Sequence, residues 1–199
     1  MRKGEETRRD IIRKSAPIFN QKGFHGAALS DLMEATGLEK GGIYRHFSSK
    51  EELATEAFDH AWQTVLDIRL TGLEKIDNRV DRLRQMIRNF RERREGLVPG
   101  GCPLLNTAID SDDGNTRLRA RALAALGRWK DRLKACVRDG KRRGEIRPEV
   151  NAEELSTLIV STLEGSLMLA RLTRSDEPLR AAGRHLEALL ESSVRREKK

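Results

Sequence analysis

The chain has 199 residues, with 39 Lys/Arg against 31 Asp/Glu, a formal net charge of +8 and a charged fraction of 35%. That length allows one or two domains with a sizeable core, and the longest unbroken apolar run, Ala122 to Leu126, falls far short of the ~20 residues that span a bilayer. No charged-then-apolar leader opens the chain and two cysteines cannot build a disulfide framework, so the expectation is a reduced, cytoplasmic, helical protein that engages no membrane.

Helical periodicity dominates in chain order, and no window alternates as a strand would. A first helix runs from Glu5 to Lys22 with Ile11, Ile12, Ala16, Ile18 and Phe19 on one face. Pro17 is expected to bend it and Gly23 to end it. A short helix carrying Leu29, Leu32, Met33 and Ala35 stops at Gly37, the residue that most cheaply adopts the left-handed cap. A second short helix is expected over Lys40 to Phe47, with Ile43 and Phe47 turned inward. Ser48 and Ser49 can then cap a long helix to about Gly72, whose first turn holds Glu51 and Glu52.

Beyond it, helices are expected near 78–95, 102–110, 118–143, 152–174 and 178–194, with Gly96 to Gly101 the clearest loop. The sum is an all-α fold of about nine helices. The helix at 178–194 carries one clean stripe, Leu179, Ala182, Leu186 and Leu189/Leu190. Its predecessor is apolar around much of its circumference, through Leu155, Leu158, Ile159, Leu163, Leu167, Met168, Leu169 and Leu172. A helix apolar on more than one face needs more than one partner, and a two-fold dimer through the last two helices meets that need.

The charge is unevenly spread. Residues 1–50 hold ten basic and six acidic groups, +4; the last five residues hold +3; the 144 between them hold only +1. A basic head on a nearly neutral body suits a polyanion, although a solvated face with surplus arginine gives the same sum. Two short helices joined by a Gly-containing turn also fit a helix-turn-helix, in which the N-terminal residues of the second helix reach base edges. That second helix begins Lys40-Gly41-Gly42-Ile43-Tyr44-Arg45-His46-Phe47. Two glycines there cost about 1 kcal/mol each against Ala, and they make sense where backbone must approach another surface closely.

Residues 6 to about 60 resemble the DNA-binding domain of the TetR family of bacterial regulators. The resemblance rests on Phe19, Gly23-Phe24, Leu32, Gly37, Gly41, Tyr44, Phe47, Lys50 and Leu53, and above all on the continuous run from Gly37 to Glu51. It implies a homodimer whose paired recognition helices read a palindromic operator, and a C-terminal domain that binds a small-molecule effector and releases DNA. Domains are accordingly expected at 1–50 (DNA-binding, motif about 28–47, linking helix from about 49) and 51–199 (effector binding and dimerisation). By the same resemblance Lys40, Gly41, Gly42, Tyr44 and Arg45 face the groove, and His46 and Lys50 lie near phosphates. Ala28 departs from the family, which opens this helix with Ser or Thr, so Ser30 is expected to take the phosphate or capping role. Glu39, Gly42 and Met33 depart too.

Cys102, after Gly100-Gly101 and before Pro103, stands where a helix N-terminus lowers a thiol pKa. It resembles the sensing cysteine of some TetR branches, which leaves a helical ligand- or electrophile-sensing protein acting through Cys102 as the alternative function. Cys136 is expected in the core. Effector-pocket candidates are Phe58, Trp62, Phe90, Cys102, Trp129, Leu163 and Met168. Catalysis finds no support. No histidine falls in His-Glu-x-x-His, cysteine spacing fits no zinc site, and both glycine-rich stretches lack a phosphate-loop lysine, so neither metal nor cofactor is expected.

Overall fold

The computed structural model describes residues 3–92 and 97–196. The expected end of one helix at 93–95, the first residue of the Gly96–Gly101 loop and the last three residues of the basic tail lie outside them. Among the described residues there are nine α-helices and no strand: α1 Lys3–Gly26, α2 Leu29–Thr36, α3 Lys40–Tyr44, α4 Lys50–Leu70, α5 Arg79–Glu92, α6 Pro103–Asp110, α7 Thr116–Arg142, α8 Ala152–Thr173 and α9 Glu177–Leu189. A 3-10 turn at Leu73–Lys75 and a π-helical turn at Leu190–Val194 add local windings that periodicity does not announce.

Side-chain capping sets the starts of α4, α5, α7 and α8. Ser49 Oγ accepts the Glu52 N–H at 3.1 Å, while the Glu52 carboxylate accepts both the Ser48 N–H (2.7 Å) and its hydroxyl (2.6 Å), so α4 starts where two serines place it. Those bonds hold the Glu52 carboxyl below its ordinary pKa. Asn78, Asn115 and Asn151 accept first-turn N–H groups of α5, α7 and α8 in the same way.

Pro17 lies inside α1 without ending it; the residue that leaves helical backbone is Gly23, at φ 72° and ψ 175°, and the helix resumes to Gly26. Proline at this point removes a single ladder bond, whereas Gly23 occupies a conformation that side chains rarely adopt. Helix α3 is also shorter than expected. It stops at Tyr44, and Arg45 and His46 form a turn.

The chain divides into two compact units, Met1–Leu66 with Gly96–Ala125 and Asp67–Glu95 with Leu126–Lys199. In the first unit Ile11, Leu32, Ile43 and Leu53 from four helices, with Phe47 from the turn after α3, form a buried cluster, with Ile12, Ile18, Phe19, Leu29, Met33 and Leu38 against it. Truncating one such residue to Ala costs about 2–5 kcal/mol. The Arg8 guanidinium lies 4.3 Å over the Phe47 ring and pairs with Glu52 (2.9 Å) and Glu56, binding α1 to α4. Ala16, Ala57 and Ala61 let the same two helices approach closely.

In the second unit α8 packs on α9, and α5 on both. The buried face of α8 presents Leu155, Ile159, Leu163 and Ala170, and that of α9 presents Leu179, Gly183 and Leu186. By length and composition α8 could cross a membrane. Scanning for unbroken apolar runs overlooks it because Ser156, Ser161, Glu164 and Ser166 punctuate the helix. Leu158, Met168, Leu169 and Leu172 remain exposed on it, Leu172 at 80%.

Candidate nucleic-acid interface

Helix α2 ends at Gly37 (φ 71°), whose N–H bonds the Met33 carbonyl at 2.8 Å. Three residues later α3 starts, turned so that Ile43 is buried while Lys40, Gly41, Tyr44 and Arg45 are exposed. A single apolar anchor in a five-residue helix fixes its rotation, and everything not beside Ile43 faces outward. Neither Lys40 nor Arg45 is paired with an acid among the described residues. Gly42 and His46 are half-buried.

The two glycines bear most directly on what this face does. Both have ordinary negative φ, so neither is demanded by backbone conformation. A Cβ built on Gly41 meets nothing within 4 Å, and one on Gly42 only the Leu38 side chain at ordinary contact distance, 3.4 Å. The fold therefore tolerates alanine at Gly41, where glycine weakens a short helix by about 1 kcal/mol.

Two of the expected contact residues, Lys50 and Ser30, differ in their surroundings. The Lys50 ammonium donates to the Phe24 carbonyl at 2.6 Å and lies 4.8 Å from the Phe24 ring centre, and burial pushes its pKa down. Lys50 thus joins the start of α4 to the end of α1. Ser30 is exposed, and the N–H of Ala28 is taken by the Asp31 carboxylate at 3.0 Å. Asp31 also pairs with Lys22 at 2.7 Å, which together with the cap bond holds its carboxyl below the ordinary range. Position three of a helix is where a capping carboxylate belongs, so the sequence carried that signal.

The end of α1 is held by residues with no local signal. Asp110, at the end of α6, accepts the Phe24 N–H at 2.7 Å, and a Cβ on Gly23 would collide with its carboxylate. Asn106 donates to the Asn20 carbonyl (2.9 Å) and side chain (3.0 Å), and Asn20 donates to Pro99 and Gly101 carbonyls. Sequence separations near 80 residues hide these pairs from any local reading.

The pocket candidates fall in different places. Within the first unit, Phe58 borders a small cavity with Phe19, Phe24, Ala57 and Ala61, while Trp62 and Cys102 are buried. Within the second, Phe90 and Trp129 stack with ring centres 5.9 Å apart, and Leu163 is buried. Met168 is about half exposed on α8; a broad apolar circumference does not say which residues face in. Cys136 is core, its Sγ 3.3 Å from the Arg79 carbonyl and its pKa pushed up by burial to about 11. No group of three metal-binding side chains occurs among the described residues.

Residues 11–57 match the family described as "Bacterial regulatory proteins, tetR family", and residues 79–186 match "Tetracyclin repressor-like, C-terminal domain". An HTH-type transcriptional regulator of Mycobacterium tuberculosis is 32% identical over 92% of this chain and 93% of its own. A TetR transcriptional regulator of Chloroflexus aurantiacus has the same fold at TM-score 0.94, with 47% identity over 99% of this chain and 100% of that one. A TetR-family regulator of Cytophaga hutchinsonii superposes at TM-score 0.93 with 32% identity, covering 100% of this chain and 99% of its own.

Proposed function

The chain belongs to the TetR family of bacterial, DNA-binding transcriptional regulators, and from that premise we propose that it is a non-enzymatic cytoplasmic repressor, reading a palindromic operator through paired α3 helices and leaving it when a small-molecule effector binds. The DNA-reading head is residues 1–50. Lys40, Tyr44 and Arg45 supply the polar tips, Gly41 and Gly42 the close backbone approach, and His46 an outlying contact.

The observation that carries this reading is the open space around Gly41. A residue that weakens α3 and that the fold does not require makes sense where a second surface comes within a methyl's width of the backbone. Lys40 and Arg45 flank that spot with charges that neutralise phosphates and release counterions. In this scheme Lys50 is a positioning residue, fixing α4 to α1 behind the recognition helix.

The reading also needs two copies. Leu158, Met168, Leu169 and Leu172 on α8, beside α9, form an apolar surface suited to a four-helix bundle between subunits. Two-fold symmetry then sets the half-sites one helical turn or a multiple apart. For Cys102 the burial of the thiol at the start of α6 favours packing over sensing.

Selection of bound duplexes from a random pool tests the proposal. A palindromic consensus with two-fold symmetric protection, and affinity falling steeply with salt, is the expected outcome. Equal affinity for random duplex would contradict it.

A further inference from the structure

In the second unit a positive charge sits in a cage built for one. The Arg69 guanidinium, at the end of α4, lies 4.0 Å from the centre of the Phe90 ring and 4.9 Å from that of Trp129. The two rings are nearly parallel, 6° apart in plane. Glu164 on α8 closes a third side, its Oε1 3.6 Å from Arg69 Nη1. Both charged side chains are about nine-tenths buried, 8% and 10% exposed.

Three helices, α5, α7 and α8, thus contribute two aromatic faces and one carboxylate, and only the occupant comes from α4. Cations within about 6 Å of an aromatic centroid are attracted by the ring quadrupole, more so when desolvated. The stability of the fold gives little reason for the arrangement, because well-packed apolar residues commonly replace a buried ion pair at no cost. Asn89 donates to the Arg69 carbonyl at 2.9 Å and to the Thr71 carbonyl at 2.9 Å. The main chain is therefore pinned there while the long side chain keeps its rotatable bonds.

We propose that Phe90, Trp129 and Glu164 form a binding site for a compact organic cation, a quaternary ammonium or guanidinium group, and that Arg69 is its tethered internal competitor. The inference rests on the reading of the chain as an effector-responsive regulator and names the class of effector. The chemistry selects within cations. A hard divalent metal takes six or more oxygen ligands, and this cage offers one carboxylate. A diffuse cation exchanges the guanidinium for an equivalent charge on the same rings, so Glu164 keeps a counter-ion throughout. An anion would have to be buried beside Glu164.

Calorimetry on the full chain tests this with benzyltrimethylammonium chloride, against sodium benzoate and sodium chloride at equal ionic strength. Removing the competitor in Arg69→Ala is expected to tighten binding of the ammonium probe at least tenfold over the unaltered protein. Arg69→Gln, which keeps the stem and a donor toward Glu164, covers the case in which the alanine variant does not fold, and is expected to tighten binding as well. Adding Glu164→Gln to either is expected to abolish the gain. No tightening in a folded Arg69 variant, or binding of benzoate in preference, overturns the proposal.

Binding to a selected duplex, read in the same samples, separates the effector class from the regulator reading beneath it. Duplex bound without probe and released by it supports both. Duplex bound and not released at saturating probe refutes this effector class while the regulator reading stands. No selective duplex binding in any sample refutes the regulator reading itself.

Discussion

The exposed sides of α3 and α8 are both surfaces that the described residues leave uncovered, and they differ in chemistry. On α3 the uncovered groups are Lys40, Tyr44, Arg45 and bare backbone at Gly41; on α8 they are Leu158, Met168, Leu169 and Leu172. Each surface is costly to a lone molecule. Glycines weaken α3, and four large apolar side chains on one helix face expose area whose burial is worth about 25 cal/mol per Å². One face therefore suits a polyanion and the other a second apolar surface, which is what a dimeric DNA reader requires.

The largest effect is expected on the apolar side. Leu169→Asp with Leu172→Asp is expected to give a monomer by light scattering. Because two linked half-sites bind with a high effective concentration, operator affinity is then expected to fall on the order of 100-fold or more. A dimer that persists in the double variant would move the subunit interface elsewhere.

On the polar side, Tyr44→Ala with Arg45→Ala is expected to weaken operator binding about tenfold or more, with contacts worth roughly 1–3 kcal/mol at stake. The slope of log affinity against log salt is expected to drop by about one for each phosphate that Arg45 no longer neutralises. Titration over a range of salt concentrations reads both, and an unchanged slope would remove Arg45 from the phosphate-binding set.

Smaller effects distinguish reading from positioning. Lys50→Ala is expected to lower stability by about 1–2 kcal/mol by removing the bond to the Phe24 carbonyl, with the salt slope unaltered. A slope that falls with stability intact would return Lys50 to the DNA surface. Smallest of all, Asp31→Ala is expected to lower the melting temperature slightly by removing the carboxylate that accepts the Ala28 N–H, an effect that Ser30→Ala does not share.

How much of this was legible in the sequence depended on range. The all-helical pattern, the inward Ile43 and Phe47, the left-handed Gly37 and the serine start of α4 are local matters of period and capping, and the structure has them. At Lys50 the sequence suggests a phosphate ligand, a lysine at a helix start beside a recognition helix, and says nothing of the contact this side chain makes within the chain. Its actual partner, the Phe24 carbonyl, lies 26 residues back and across a kink that only Gly23 permits. The Arg69 cage joins four helices through residues nearly a hundred positions apart, so Phe90, Trp129 and Leu163 could be named as candidates without the charge pair that sits among them. Met168 shows the reverse failure, a residue named because α8 is apolar around much of its circumference, whose side chain faces out.

If α3 is shaped for a partner and not for the fold, Gly41→Ala measured on a selected palindromic duplex is the variant that shows it. The methyl meets nothing within 4 Å in the protein, so the variant is expected to melt at the same temperature or slightly higher, with about 1 kcal/mol of helix propensity gained. Its operator affinity is expected to fall at least tenfold, because the same methyl stands where DNA backbone or a base edge approaches. Unchanged affinity at unchanged stability would mean that nothing approaches Gly41, and that α3 does not read DNA in this way.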